Sequence, residues 1–207
     1  MFFQWITATM VYYGLLFAST SLSGDPYLNF VLAVFAELPS PIIYYFVPDL
    51  LGRKVVLITS QLLSGICCIA GGILITMPSF STLQIILVMS GRLCAALCFG
   101  LVYLYTAELY PTTLRSTALG FCSTFGRLGG IAALLMGGLN RPSVSMVTFG
   151  AMGIVAGLLA FRFPETRNDK LPDTIQEAMN LGRNVKRNKF GFITVNVDDT
   201  KLMVSKI

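Results

Sequence analysis

The feature that most constrains this chain is a succession of apolar runs, each long enough to cross a lipid bilayer. Six can be drawn, over residues 2–20, 28–47, 55–77, 83–107, 114–138 and 144–163. A helix of about 20 residues covers a hydrocarbon core of ~30 Å. Backbone N–H and C=O groups inside lipid must be satisfied within the segment, so runs of this length predict helices rather than loops or open strands. Turn-forming residues separate them: Gly24, Asp25 and Pro26, then 48–54, 78–81, 111–113 and 140–143. The expected fold is therefore all-α, a polytopic membrane protein with six transmembrane helices in residues 1–163.

Composition agrees with that expectation. Hydrophobic residues make up 55% of the 207 and charged residues 12%, against about a quarter charged in a soluble domain. Lipid must solvate much of this surface. Basic residues orient the helices through the positive-inside rule. Arg53 and Lys54 fall in the second loop, Arg115 in the fourth, and the tail is basic. The opposite side has Arg141 and the single acid Asp25. Both termini are then expected in the cytoplasm, as an even helix count requires. The first run has no basic leader and reads as a helix rather than a signal peptide. Met1 opening almost inside a helix is what a piece of a longer protein would show. Residues 164–207 read as a cytoplasmic tail with a short surface helix over 172–182. Pro172 and Asp173 start it, Gln176 closes a capping box and Gly182 ends it. Lys186, Arg187 and Lys189 beyond it suit a solvated tail or anionic lipid.

The chain has no histidine, and its five cysteines, Cys67, Cys68, Cys94, Cys98 and Cys122, all lie inside apolar runs. There they read as small packing residues rather than a disulfide framework. No metal or other cofactor is expected, and no nucleic-acid partner.

Three ionisable residues fall near the middle of spans: Glu37 in the second, Arg92 in the fourth and Arg127 in the fifth. A charge at the bilayer centre costs ~2.5–3.5 kcal/mol on insertion scales, so each must face protein, water or another charge. Glu37 and Arg92 either pair and fix packing, or line an aqueous pathway. Arg127 leaves one more base than acid. It is expected to be buried and unneutralised, an invitation to an anionic ligand. Helical spacing adds neighbours. Arg92, Ala96, Phe99 and Tyr103 share a face, as do Ser123 and Arg127. Trp5 and Tyr12 lie seven apart with Thr9 between them. The alternative for these aromatics is an interfacial belt, which fits Trp5 but places Tyr12 and Tyr13 too deep. Pro39 and Pro41, close to Glu37, interrupt the second span. Each removes a backbone hydrogen bond, as in the broken helices that line transporter cavities, or simply kinks the helix. Glycines recur in the fifth span, and Ser60 and Ser64 in the third, where they permit close helix contacts.

Several stretches carry a resemblance. The second loop, PDLLGRK, contains Asp49, Gly52, Arg53 and Lys54 in the D-x-x-G-R-[RK] pattern of the major facilitator superfamily. YTAELYPTTLRS in the fourth loop and FPETRNDKLPDT after the last span are similar to motifs of its organic cation/anion transporter family. WITATMVYYGL, AELPSP and FGRLGGI match the same family at corresponding places. The likeness covers about residues 2–182. It implies the carboxy-terminal half of a twelve-helix carrier, with the spans here as its seventh to twelfth. The resemblance further implies substrate contacts at Trp5, Tyr12, Phe99, Ser123 and Arg127, with Glu37 and Arg92 as central charges; Tyr103 joins them by spacing. Cation-selective members have aspartate where this chain has Arg127, and anion and zwitterion members have arginine. The loop charges Asp49, Arg53, Glu108 and Arg115 are expected to form a gate that closes in one state and parts in another. Arg115 is expected to pair across its loop.

The expected function is transport of small organic anions, zwitterions or cations across the plasma membrane by alternating access. Its partners would be that solute, the bilayer, and a missing amino-terminal half or a second copy. A sugar carrier of the same superfamily would want clustered Gln and Asn in the first, fourth and fifth spans, where only Gln4 and Gln84 occur, in different spans. A six-helix channel or scaffold would need a filter-like loop, and a membrane enzyme a convergent catalytic set. Neither is found in the sequence.

Overall fold

In a computed structural model, residues 1–163 are described apart from Ser21, Ser23, Met77, Leu139 and Asn140. The expected surface helix over 172–182 lies outside those residues. The described chain is helical: α1 (Phe2–Thr20), α2 (Pro26–Glu37), α3 (Pro39–Leu51), α4 (Arg53–Leu74), α5 (Ser81–Leu109), α6 (Arg115–Gly137) and α7 (Pro142–Ala160), with a 3-10 turn, Pro78–Phe80, before α5. Together α2 and α3 are the second span, parted at Leu38.

Local chemistry sets several boundaries. Asp25 accepts from the Tyr27 N–H at 2.9 Å and Pro26 occupies the first helical position, so α2 starts with a capped turn. The break after Glu37 comes where Pro39 has no N–H to give. Leu38 instead donates to the Phe35 carbonyl in a tighter turn. Gly52, at φ 100° and ψ 143°, lets the chain leave α3 and enter α4 within one residue. A side chain there would be strained. This reversal puts Arg53 one turn from Asp49.

Five helical runs are long and apolar enough to cross a membrane, counting Pro26–Leu51 as one. The 19-residue α1 falls outside that set. Close backbone approach holds the bundle. A Cβ on Gly150 would sit 2.6 Å from the Gly65 carbonyl, so α4 and α7 meet through these two glycines. A Cβ on Gly129 would sit 2.0 Å from the Ile6 carbonyl, which fixes α6 against α1. Between α4 and α5, the Ser64 hydroxyl donates to the Gly91 carbonyl at 3.2 Å. Two apolar clusters fill the core, one around Trp5, Leu57 and Leu101, the other around Leu15, Val88 and Phe149. All five cysteines are buried.

Candidate functional site

A column of rings rises along the seam between α1 and α5. Trp5 lies at the base, its indole N–H donating to the Thr106 hydroxyl at 2.9 Å. Its ring centroid is 4.3 Å from that of Tyr103, edge-on. Tyr103 meets Phe99 at 5.3 Å, and Phe99 stacks on Tyr12 at 5.0 Å. The four-residue rise from Phe99 to Tyr103 is what brings two rings of α5 onto one face.

The column ends at charges. The Arg92 guanidinium lies 4.0 Å from the Tyr12 ring centroid, a cation–π contact. Arg92 donates to the Glu37 carboxylate at 2.7 Å and to the Tyr12 carbonyl. The Tyr12 hydroxyl donates to the other Glu37 oxygen at 2.7 Å. Arg92 is 3% exposed and Glu37 28%. Both Glu37 oxygens are thus engaged, and the pair joins α5, the break in span two and α1 at one point. Arg92 Nε is buried without a partner among the described residues.

Beside the column lies a cavity of about 320 Å³, open on one side, between α1, α5 and α6. Trp5, Phe99 and Tyr103 form one wall, Ser123 and Arg127 the other. Thr9 lines it as well, its hydroxyl already donating to the Trp5 carbonyl at 2.8 Å. Arg127 is exposed and has no ion pair among the described residues. The expectation of a buried guanidinium is therefore corrected. Arg127 stands on the open face of α6, because the buried side of that helix is the glycine side, Gly126 and Gly129, pressed against α1. It remains unneutralised.

Of the eight residues read from the sequence as substrate contacts, five line this cavity: Trp5, Phe99, Tyr103, Ser123 and Arg127. Tyr12 does not. Its hydroxyl is turned to Glu37, and the neighbouring Tyr13 lines the cavity in its place. A helix turns about 100° per residue, so adjacent tyrosines present to different neighbours. Glu37 and Arg92 sit past the column's end, in contact with it rather than in the cavity wall. Gly126, Gly130, Ile131 and Leu134 complete the lining and were missed. Their spacing from Ser123 and Arg127 marks the same helical face and would have found them.

At the end of the bundle where α3 meets α4, Arg53 bridges two acids. It contacts Asp49 at 2.9 Å and Glu108 at 3.0 Å. Arg53 and Glu108 are 19% and 15% exposed and Asp49 68%, so the pair with Glu108 is the more sheltered. Arg115 does not join them. Its Nε and Nη2 are buried without a hydrogen-bond partner among the described residues, which corrects the expected pairing across the loop. It opens α6 beyond the Pro111 turn.

Among the described residues no three His, Cys, Asp or Glu side chains converge as metal ligands. The arrangement offers a cation on an aromatic-walled cavity next to a neutralised charge pair. It can grip an anionic group by the guanidinium and a flat or cationic group by ring faces.

Comparison with known proteins gives consistent matches. The sequence pattern of the Major Facilitator Superfamily matches residues 1–197. Solute carrier family 22 member 15 of Xenopus tropicalis is 36% identical over 191 residues, covering 86% of this chain and 35% of that protein. The organic cation transporter protein of Drosophila melanogaster is 33% identical over 186 residues, 88% of this chain and 33% of its own. Solute carrier family 22 member 6 of Rattus norvegicus is 34% identical over 181 residues, 86% and 32% respectively. The chain thus spans about a third of the length of the curated relatives it matches.

Proposed function

Because the chain belongs to the Major Facilitator Superfamily, we propose that it forms half of an alternating-access carrier for small organic ions. The observation that carries this reading is the unpaired, exposed Arg127 in an aromatic-walled cavity of about 320 Å³. A guanidinium matches a carboxylate in a two-pronged fork. The favoured solute is therefore a carboxylate-bearing or zwitterionic molecule with an aromatic or apolar body. Its carboxylate meets Arg127 and Ser123, its body lies against Trp5, Phe99 and Tyr103, and an amine end faces the ring column that leads to Glu37. A relative named as an organic cation transporter protein supports the broader class, small organic ions.

All six spans, α1 included, cross the plasma membrane in this reading, with both termini cytoplasmic. The open faces of span two and α6 are covered by an amino-terminal half or a second copy. Solute bound in the cavity is exposed to alternate sides as the halves rock. Asp49, Arg53 and Glu108 form a cytoplasmic latch, made in one state and parted in the other. The sheltered Arg53–Glu108 pair is its stronger element.

The test is uptake by the full-length protein of a labelled quaternary amine, a betaine and a dicarboxylate. Arg127→Asp is expected to shift preference toward the quaternary amine by roughly tenfold, the equivalent of about 1.4 kcal/mol. An unchanged order of preference would remove Arg127 from solute selection and with it the assignment of this cavity.

A further inference from the structure

We propose a second solute-binding position at the far end of the α1–α6 seam, which takes the apolar extension of an organic carboxylate held at Arg127. It deepens the function proposed above and rests on it.

A cavity of about 580 Å³ lies between α1, α6 and α7, lined among others by Phe17, Leu134, Gly137, Ser145 and Phe149. Leu134 lines this cavity and the Arg127 cavity alike. The two also share helical faces. Along α6, residues 123, 127, 130, 134 and 137 follow one another by four, three, four and three, a single stripe. Along α1, residues 9, 13 and 17 do the same by fours. The two cavities are consecutive chambers on one face, parted by the Leu134 side chain.

The upper chamber's chemistry differs from the lower. Among the described residues no charged side chain lines it. Both its hydroxyls already donate to backbone: Ser145 of α7 to the Met136 carbonyl of α6 at 2.7 Å and Thr20 to the Phe17 carbonyl at 2.8 Å. Among the described residues the rest of its lining is apolar: glycine backbone with the sides of Phe17, Leu134, Pro142 and Phe149. Such a chamber selects an apolar group. Placed next to one with a free guanidinium, it selects amphiphiles: a carboxylate at one end and an aryl or alkyl extension at the other. Seven helical residues from Arg127 to Leu134 rise roughly 10 Å, which sets the length a solute needs to reach across.

Gly137 provides the test. A Cβ there meets Phe17 Cβ at 3.7 Å, ordinary van der Waals contact, so a side chain at this position fills the chamber without displacing backbone. The full-length protein in lipid nanodiscs is loaded with labelled benzoate, then displaced with unlabelled benzoate or with 4-heptylbenzoate. The native chain should bind 4-heptylbenzoate the more tightly of the two. Gly137→Leu should raise the ratio of the 4-heptylbenzoate constant to the benzoate constant about tenfold, as excluding methylenes from an apolar pocket does. Gly137→Ala, the gentler filling, should fall between. A ratio that stays level from Gly through Ala to Leu overturns the second position, and is the result expected if a lipid acyl chain is the chamber's occupant. If Arg127→Asp leaves benzoate binding intact, the carboxylate reading fails. If Arg127→Asp weakens both ligands while Gly137→Leu leaves their ratio level, only the second position fails.

Discussion

The two sides of this bundle are built differently. In the apolar window of α4, 61% of residues are buried, and in α5 56%; in Pro26–Leu51 the share is 11% and in α6 22%. The first pair packs with α7 into a body closed by glycines and short polar side chains. The second presents Phe35, Tyr45, Phe46, Leu128 and Leu135 outward. Both sides are apolar enough in sequence to cross a membrane. Hydropathy therefore says that a helix lies in the membrane, and burial says whether the chain itself or something else is its neighbour. The candidate site sits at the border, with its walls on α5 and its guanidinium on the open α6.

The difference can be broken most severely on the closed side. Gly150→Leu drives a side chain into the Gly65 backbone. The expected loss is about 3 kcal/mol or more, seen as loss of monodisperse protein in detergent. The same change at Gly120 on α6, where a Cβ meets nothing within 4 Å, should leave the elution profile unaltered. If both behave alike, the two sides are not different in kind.

The border comes next. Glu37→Ala leaves Arg92 buried and unpaired, a change worth about 3 kcal/mol, the low end for a broken buried pair because Glu37 is part exposed. A lowered thermal midpoint that Glu37→Ala with Arg92→Met restores would show that charge, not shape, fastens span two to α5. The smallest effects belong to the loop. Glu108→Gln should cost about 1.5 kcal/mol and Asp49→Asn under ~1 kcal/mol, in line with their shelter. Equal losses at the two positions would make the Arg53 contacts equivalent.

Much of this was legible beforehand. The apolar runs located the helices to within a few residues, because lipid leaves the backbone so few choices. The proline pair left a break or a kink open, and the helix parts at Leu38. Glu37 and Arg92 near mid-span left open a packing pair or an aqueous pathway, and the structure makes the pair. Arg127 shows the limit. Its depth in the span was readable, but its exposure depends on which face of α6 the glycines press against α1, and that is a tertiary fact. The exchange of Tyr12 for Tyr13 has the same origin, one residue's rotation about the helix axis. For Arg115 the loop motif set an expectation of pairing, and its Nε and Nη2 are buried without a partner among the described residues.

Trp5 is the chain's single tryptophan, 1% exposed, hydrogen-bonded to Thr106 and part of the cavity wall. Excited at the red edge of the ultraviolet band, where tyrosine absorbs little, this chain emits from that one indole. A solute arriving beside it, or a rearrangement that loosens its N–H bond, would change the colour of that emission. The molecule carries an optical reporter of its own occupancy, with no dye to attach.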